Sequence, residues 1–358
     1  MRTDSIASLF DEPGPFASVM VDVSQDGEDG AEQRELRLEE ALGELLAAGA
    51  PEPVVHQLRD RLEKPTDKPA PLARLVVATE AGVCLDDMVQ ERLDAAVASW
   101  SPLPDLTTWI RLQDASIPFL LVVADREGSD IEVYRASNRQ PDETAEIHGE
   151  TFQIHKVKVG GWAQDHYQNH TEEVWRRNAR QSADVINKQV ARGIPLVVMA
   201  GDERARVEIA GALSAKAAEC LAQIDAGGRA AGSSREALEA AVGDVLRSEV
   251  VKRRLGFVRQ YQERRGRGDA VATGEREVLD AFVIGQVDTL LLDAVRSREE
   301  TVRPAEHRGL NLGLDPGETV PLDQALVAAA ARTSADVVVV PGRVLEGAAA
   351  AALLRWSQ

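Results

Sequence analysis

The sequence predicts an α/β protein of three domains, on three observations. Helical patterns alternate with short apolar runs along most of the chain, the order that packs helices against a sheet. Aromatic residues make up only 4% of the 358 residues, so the cores must be aliphatic and alanine-rich, as helices on parallel or mixed sheets allow. Two stretches interrupt the alternation: residues 101–105, with two prolines, and the Arg-Gly-Arg-Gly run at 265–268. Both predict boundaries, giving domains over 1–113, 114–268 and 269–358, each long enough for its own core.

In the first block, residues 15–23 read as a strand that ends at two Asp-Gly pairs. A helix follows with Leu38, Leu42, Leu45 and Leu46 on one face and Gly49 at its carboxy-terminal cap. Pro51 opens a second helix that carries Val55, Leu58 and Leu62. The proline-rich run 65–71 breaks this pattern, and residues 72–79 with 83–85 read as a hairpin about Glu80-Ala81-Gly82.

In the second block, residues 117–124 form an almost continuous apolar strand, 125–130 a turn and 131–135 the antiparallel partner, while 152–159 alternates and extends the same sheet. Tyr167, Thr171, Val174, Asn178, Gln181 and Val185 then recur at three- and four-residue spacing. They predict a helix over 165–191, on the order of 40 Å long, ended by Gly193. Residues 194–200 have a buried-strand pattern, and Gly201-Asp202 leads into a helix with Val207, Ala210 and Leu213 inward. The Gly/Ser/Ala-rich stretch 226–234 is a loop, and helix returns over 235–263.

The third block alternates a helix (275–284), a strand (287–292), a loop (296–317), a helix (322–333), a strand (336–340) and a terminal segment (348–356). This order implies an α/β/α sandwich.

The totals exclude several functions. A formal net charge of −18 argues against non-specific coating of nucleic acid, because phosphate binding needs basic surface. The charge is uneven, however. Residues 1–64 carry 15 acidic and 6 basic side chains, whereas residues 247–267 carry 8 basic and 2 acidic. A local basic face is therefore compatible with an acidic molecule. Cys84 and Cys220 are the only cysteines and neither lies in a CxxC pattern, which predicts no disulfide framework and no structural zinc. The opening residues lack the apolar core of a signal peptide and no 18-residue apolar run occurs, so a cytoplasmic, reduced, membrane-free chain is expected.

The chemistry concentrates in residues 155–167, His-Lys-Val-Lys-Val-Gly-Gly-Trp-Ala-Gln-Asp-His-Tyr. Gly160 and Gly161 stand between an alternating strand and the long helix. They serve either as a plain turn or as a loop free to take backbone conformations closed to other residues, and so to present its tip to something large. Trp162 at such a tip either stacks on an unpaired base, an interaction worth roughly 1–3 kcal/mol that needs no sequence specificity, or folds back on its own domain. Lys156 and Lys158 on the strand, with Arg176, Arg177 and Arg180 on the helix, are candidates for phosphate contacts; otherwise they are solvated charges. Arg253, Arg254, Arg259, Arg264, Arg265 and Arg267 form the strongest basic run, read either as an RNA-binding face or as a helix end favoured by the macrodipole. His166 and His170 have ligand spacing, but Tyr-Gln-Asn lies between them and no cysteine is near, so no metal is expected. Gly201-Asp202-Glu203 alone supplies too few carboxylates for a metal-dependent nuclease.

The succession Gly160-Gly161-Trp162-Ala163-Gln164-Asp165-His166-Tyr167 resembles the Gly-Gly-Gln-Ser-x-x-Arg-Phe signature of the middle domain of archaeo-eukaryotic peptide-chain release factors, a superfamily that includes Pelota. More narrowly it is similar to the bacterial, actinobacterial-type branch, some of whose relatives act as ribosome hibernation factors. The resemblance covers about residues 117–358 and is weak over the first block. It implies an RNase H-like mixed-sheet middle domain and a carboxy-terminal domain like kink-turn-binding ribosomal proteins. It further implies a ribosome partner at rRNA and the A site, delivery by elongation factor Tu or a related GTPase, and a monomer without cofactor.

The departures from the signature set the expected activity. In release factors the loop glutamine positions the water or the attacked ester at peptidyl-tRNA. Trp162 stands there, and indole has one donor and no acceptor, so it cannot replace a carboxamide. Gln164 is the remaining catalytic candidate, and His166 and Tyr167 occupy the places of the family's arginine and phenylalanine. No Asn-Ile-Lys-Ser-like run occurs in the first block, so stop-codon reading is not expected. The expectation is a non-hydrolytic A-site hibernation or stress factor whose RNA contacts come from Gly160, Gly161, Trp162, Gln164, His166 and the lysines and arginines above. The alternatives are a rescue peptidyl-tRNA hydrolase and a stress-linked protein-binding adaptor.

Overall fold

The computed structural model describes residues 3–25, 29–66, 68, 70–125, 127–135, 141–148, 151–155, 172–228 and 234–357. The chain divides into two compact units, Met1–Asp114 with Lys252–Gln358, and Ala115–Val251. The fold is α/β with one antiparallel and two mixed sheets of four or more strands.

The first unit opens with a 3-10 helix, Thr3–Asp11, and then β1 (Phe16–Asp22), α1 (Gly30–Ala47), α2 (Glu52–Leu62), β2 (Ala73–Thr79), β3 (Gly82–Val89), β4 (Val97–Ser101) and α3 (Thr107–Gln113). Its sheet is antiparallel in the order β3-β2-β1-β4. Strand residues alternate between faces, and each face finds a different cover. Ala17, Val19, Val21, Val76 and Ala78 meet Leu38, Leu42 and Leu45 of α1 and Leu58 and Leu62 of α2. Phe16, Met20, Leu75 and Val77 instead share a core with Ile110 of α3 and with residues from the far end of the chain. Gly49, at φ +91°, lies just past the end of α1, as the cap position predicts. Residues 101–105, expected as a connection, join β4 to α3 and are mostly buried. Neither β4 nor α3 was expected, because neither has a clean period.

The second unit contains β5 (Phe119–Ala124), β6 (Gly128–Tyr134), β7 (Glu143–His148), β8 (Thr151–His155), α4 (Glu172–Ala191), β9 (Val197–Gly201), α5 (Glu203–Ala212), α6 (Ala215–Glu219), β10 (Leu221–Gln223) and the start of α7 (Arg235–Arg267). The sheet runs β10-β9-β5-β6-β7-β8, parallel across β10, β9 and β5 and antiparallel from β5 to β8. Leu120, Val122 and Ala124 face α4, α5 and α6 through Ile186, Val190, Ile209 and Ala217. Phe119, Leu121 and Val123 point the other way, to Val242 and Val250 of α7. The continuous apolar run of β5 is thus a strand buried on both faces. In α5 the inward residues are Ala205, Arg206 and Ile209, whereas Val207, expected inward, is 63% exposed. Helix α7 continues without a break through Gly266 to Arg267.

The far end of the chain completes the first unit with β11 (Val271–Thr273), α8 (Glu275–Val283), β12 (Val287–Leu292), α9 (Arg296–Glu299), β13 (Thr301–Val302), β14 (Val320–Pro321), α10 (Leu322–Arg332), β15 (Asp336–Val339) and β16 (Ala350–Leu354). The sheet order is β11-β16-β12-β15, with β12 and β15 parallel and β16 antiparallel between β11 and β12. Leu291, Val338 and Leu353 pack on Val258 and Tyr261 of α7. Leu290, Leu292 and Ala352 face the core shared with Phe16 and Met20. Ten consecutive residues of α10, Leu322 to Ala331, are buried. A helix covered on all sides is a central element, and α10 fills that place in the first unit.

Candidate nucleic-acid interface

Helix α4 is fixed to its sheet by both apolar and polar contacts. Asn178, Ala179, Ser182, Ala183, Val185, Ile186, Gln189 and Val190 are buried, a wider stripe than the spacing predicted. The Asn178 amide donates to the Glu127 carbonyl at 3.0 Å. The Ser182 and Ser129 hydroxyls meet at 2.7 Å, and Ser182 also donates to its own helix at the Asn178 carbonyl. At the other end of the helix, Gln189 donates to Glu143, and Arg135 donates to both Glu143 and Gln189.

With that face committed to the sheet, Arg176, Arg177 and Arg180 are exposed. Residues three and four apart lie side by side on a helix, so the three guanidinium groups form one basic edge. Beside it is a cleft of about 150 Å³ whose wall includes Asp125, Arg176, Asn178, Ser182, Arg204 and Glu208. Arg204 was not among the residues singled out in the sequence. Its only signal is its place directly behind a helix cap: the Asp202 carboxylate accepts from the Arg204 and Ala205 amides at 3.0 and 3.1 Å. The Asp202 contacts are thus those of a capping residue. Among the described residues, no group of three or more His, Cys, Asp or Glu side chains is placed to hold a metal.

Gly201, which precedes this cap, has φ +103°, and a Cβ there would lie 2.0 Å from the Ala124 carbonyl oxygen. Only glycine lets the chain leave β9 so close to β5.

Of the residues singled out in the sequence, Lys156, Lys158, Gly160, Gly161, Trp162, Gln164 and His166 lie outside the described residues. The strand expected over 152–159 is described as far as His155, in β8, and the helix expected from 165 is described from Glu172. Arg253 and Arg254 belong to the first unit, on α7. Both approach the buried Asp114 carboxylate at 3.6 Å, and Arg254 also donates to the Arg111 carbonyl. Further along, Arg264 donates to the Leu354 carbonyl and Arg265 pairs with Glu346 at 2.9 Å. Much of the basic run therefore ties the later part of α7, from Lys252 onward, to the rest of the first unit, while Arg259 and Arg267 stay exposed.

Residues 118–267 match the model of bacterial archaeo-eukaryotic release factor family 2. The span runs from the start of β5 to the end of α7 and so includes the whole α4 edge. Over the full chain, the uncharacterized protein Rv2629 of Mycobacterium tuberculosis (strain H37Rv), with its counterpart MT2704 in strain CDC 1551, is 26% identical across a 372-residue alignment covering 100% of this chain and 97% of the relative. Among solved structures, Pelota of Archaeoglobus fulgidus is 13% identical with a TM-score of 0.37, over 99% of this chain and 92% of that one. Dom34 of S. cerevisiae is 10% identical with a TM-score of 0.43, over 80% and 81%. The chain is a distant, low-identity relative of the release-factor proteins, with mycobacterial relatives along its length.

Proposed function

We propose that the chain is a ribosome-binding translation factor that occupies the A site without hydrolysing peptidyl-tRNA and acts in hibernation or another stress response. The observation that carries this reading is the family match over residues 118–267, a span that contains both the Gly160-Gly161-Trp162 sequence and the exposed Arg176, Arg177 and Arg180 edge of α4. Basic side chains on a rigid helix suit phosphate contacts that position a protein on RNA. Trp162 in the glutamine's place supports binding over hydrolysis, since indole lacks the acceptor that orients a water. In this reading Lys156, Lys158, His166, Arg253 and Arg254 add RNA contacts, the middle domain is RNase H-like, and the carboxy-terminal domain resembles kink-turn-binding proteins. Elongation factor Tu or a related GTPase is the delivering partner.

Cosedimentation with vacant 70S ribosomes at moderate salt tests the reading. Binding that weakens when Arg176 and Arg180 are changed to Glu is the expected result, and no binding by the wild-type chain would favour the protein adaptor. Peptidyl-tRNA release by the wild-type chain that disappears in Gln164→Ala would instead establish the hydrolase.

A further inference from the structure

Within the first unit, the opening residues, from the 3-10 helix through β4 to the connection before α3, are joined to α9, α10 and the turn after α10 by a set of polar contacts. Most of them are neutral. The Ser101 hydroxyl donates to the Gln324 amide oxygen at 2.6 Å, and the Gln324 amide nitrogen donates to Ser99 at 3.3 Å. The Thr3 hydroxyl reaches the Ala330 and Ala335 carbonyls at 3.1 and 2.8 Å. One contact is ionic and unbalanced. Arg298 Nη2 donates to both oxygens of Asp105 at 2.9 Å, and its Nε lies 3.7 Å from Asp323 Oδ2. Asp105 is 7% exposed and Asp323 1% exposed. Two buried carboxylates thus share one guanidinium, and with both ionised the set holds a surplus negative charge away from water, which is costly.

We propose that this triad is a proton-operated latch: a proton taken up by the Asp105–Asp323 pair tightens the joint between the opening sheet and α9–α10, and its loss slackens it. The surroundings of Asp105 fit this role. From α9 it faces Arg298 and from α10 Asp323, while β1 offers only the Ser18 hydroxyl, which accepts from the Asp105 amide at 3.0 Å. Burial pushes the Asp105 carboxyl up to about 6, with Arg298 opposing and Asp323 reinforcing. Asp323 is also raised, again chiefly by burial and against Arg298.

A carboxyl whose value is higher in the closed joint than in the open chain binds its proton more tightly when closed. Its stabilisation is therefore full below the ordinary carboxylate value and is lost as pH rises through about 6. Linkage gives an opening constant about tenfold larger at roughly pH 7.5 than at roughly pH 5.

Two measurements on the full chain test the latch. Carbon-13 titration of the aspartate carboxyls in the wild type should show a group near 6 that disappears in Asp105→Asn and moves downward in Asp323→Asn. Hydrogen exchange, corrected for intrinsic rates, should show amides of β1, β4 and α10 about tenfold better protected at the lower pH, with β5 and β9 of the second unit as reference strands. In Asp105→Asn that difference should shrink to that of the reference strands. Carboxyls that all titrate in the ordinary range in the wild type would overturn the proposal, whether or not the variants fold. So would a pH effect on β1, β4 and α10 that persists unchanged in Asp105→Asn.

Discussion

Arg74 and Asp86 meet diagonally across β2 and β3 in a two-point pair, Nε to Oδ1 and Nη2 to Oδ2, each 2.8 Å long. Arg61 adds a third contact to Asp86 at 2.7 Å. Burial pulls the Asp86 carboxyl upward, but the charges and hydrogen bonds of Arg74 and Arg61 outweigh it and hold the group below its ordinary value. A depressed carboxyl contributes stability above its unfolded value and loses it as pH falls through the lower folded value. Arg74→Met should therefore cost about 1–2 kcal/mol at neutral pH, since it leaves a half-buried carboxylate with only Arg61 as its charged partner. Asp86→Asn should flatten the acid side of the stability curve below about pH 4. Urea unfolding across a pH series measures both.

The α4 edge makes a quantitative prediction about salt. If Arg176 and Arg180 each neutralise one phosphate, changing either to Ala should lower the slope of log affinity against log salt by about 1 and weaken ribosome binding. Arg264→Ala, which removes a contact to the Leu354 carbonyl, should change thermal stability and leave the slope unaltered. Filter binding or sedimentation at several salt concentrations distinguishes the two groups of arginines.

Trp162→Ala should weaken ribosome binding by about tenfold, the loss of one stacked base at roughly 1–3 kcal/mol, without lowering the thermal midpoint. Unchanged affinity would remove the stacking role from this side chain.

Gly201→Ala combines a strained φ with a collision against the Ala124 carbonyl, and should destabilise the chain by about 2 kcal/mol or more. The neighbouring Asp202→Ala removes an α5 cap with two amide contacts and should cost about 1 kcal/mol. Differential denaturation of the two variants would rank them in that order.

The helices and apolar strands were legible because burial imposes a period. Leu38, Leu42 and Leu45 mark α1, and the run from Phe119 to Ala124 marks β5, on the strength of hydrophobic spacing alone. What escaped the sequence lacks such a period. Strand β4 spans only five residues and is mixed in burial, β7 carries only two apolar residues, Ala145 and Ile147, too few to set a pattern, and the inward place expected for Val207 is taken by Arg206. At the candidate interface, the exposure of Arg176, Arg177 and Arg180 follows from the opposite face of α4. The partner of Arg298 does not: Asp105 lies 193 residues away, and no local pattern announces a long-range pairing of single charges.

The two-sided burial of the opening sheet has a consequence for synthesis. Residues 1–114 leave the ribosome first, and within them the 3-10 helix and α3 supply part of the cover of Phe16, Met20, Leu75 and Val77, while the rest of that core comes from the far end of the chain. The second unit, Ala115–Val251, must be translated in between, which takes on the order of ten seconds at about 5–20 residues per second. During that interval the nascent chain carries a sheet with one apolar face only partly covered, a surface that chaperones bind and that aggregates at high expression. A protein whose first sheet completes its core with its last strands and helices exposes apolar surface when cut short, and truncation from the carboxy terminus should convert it from a folded chain into a chaperone client.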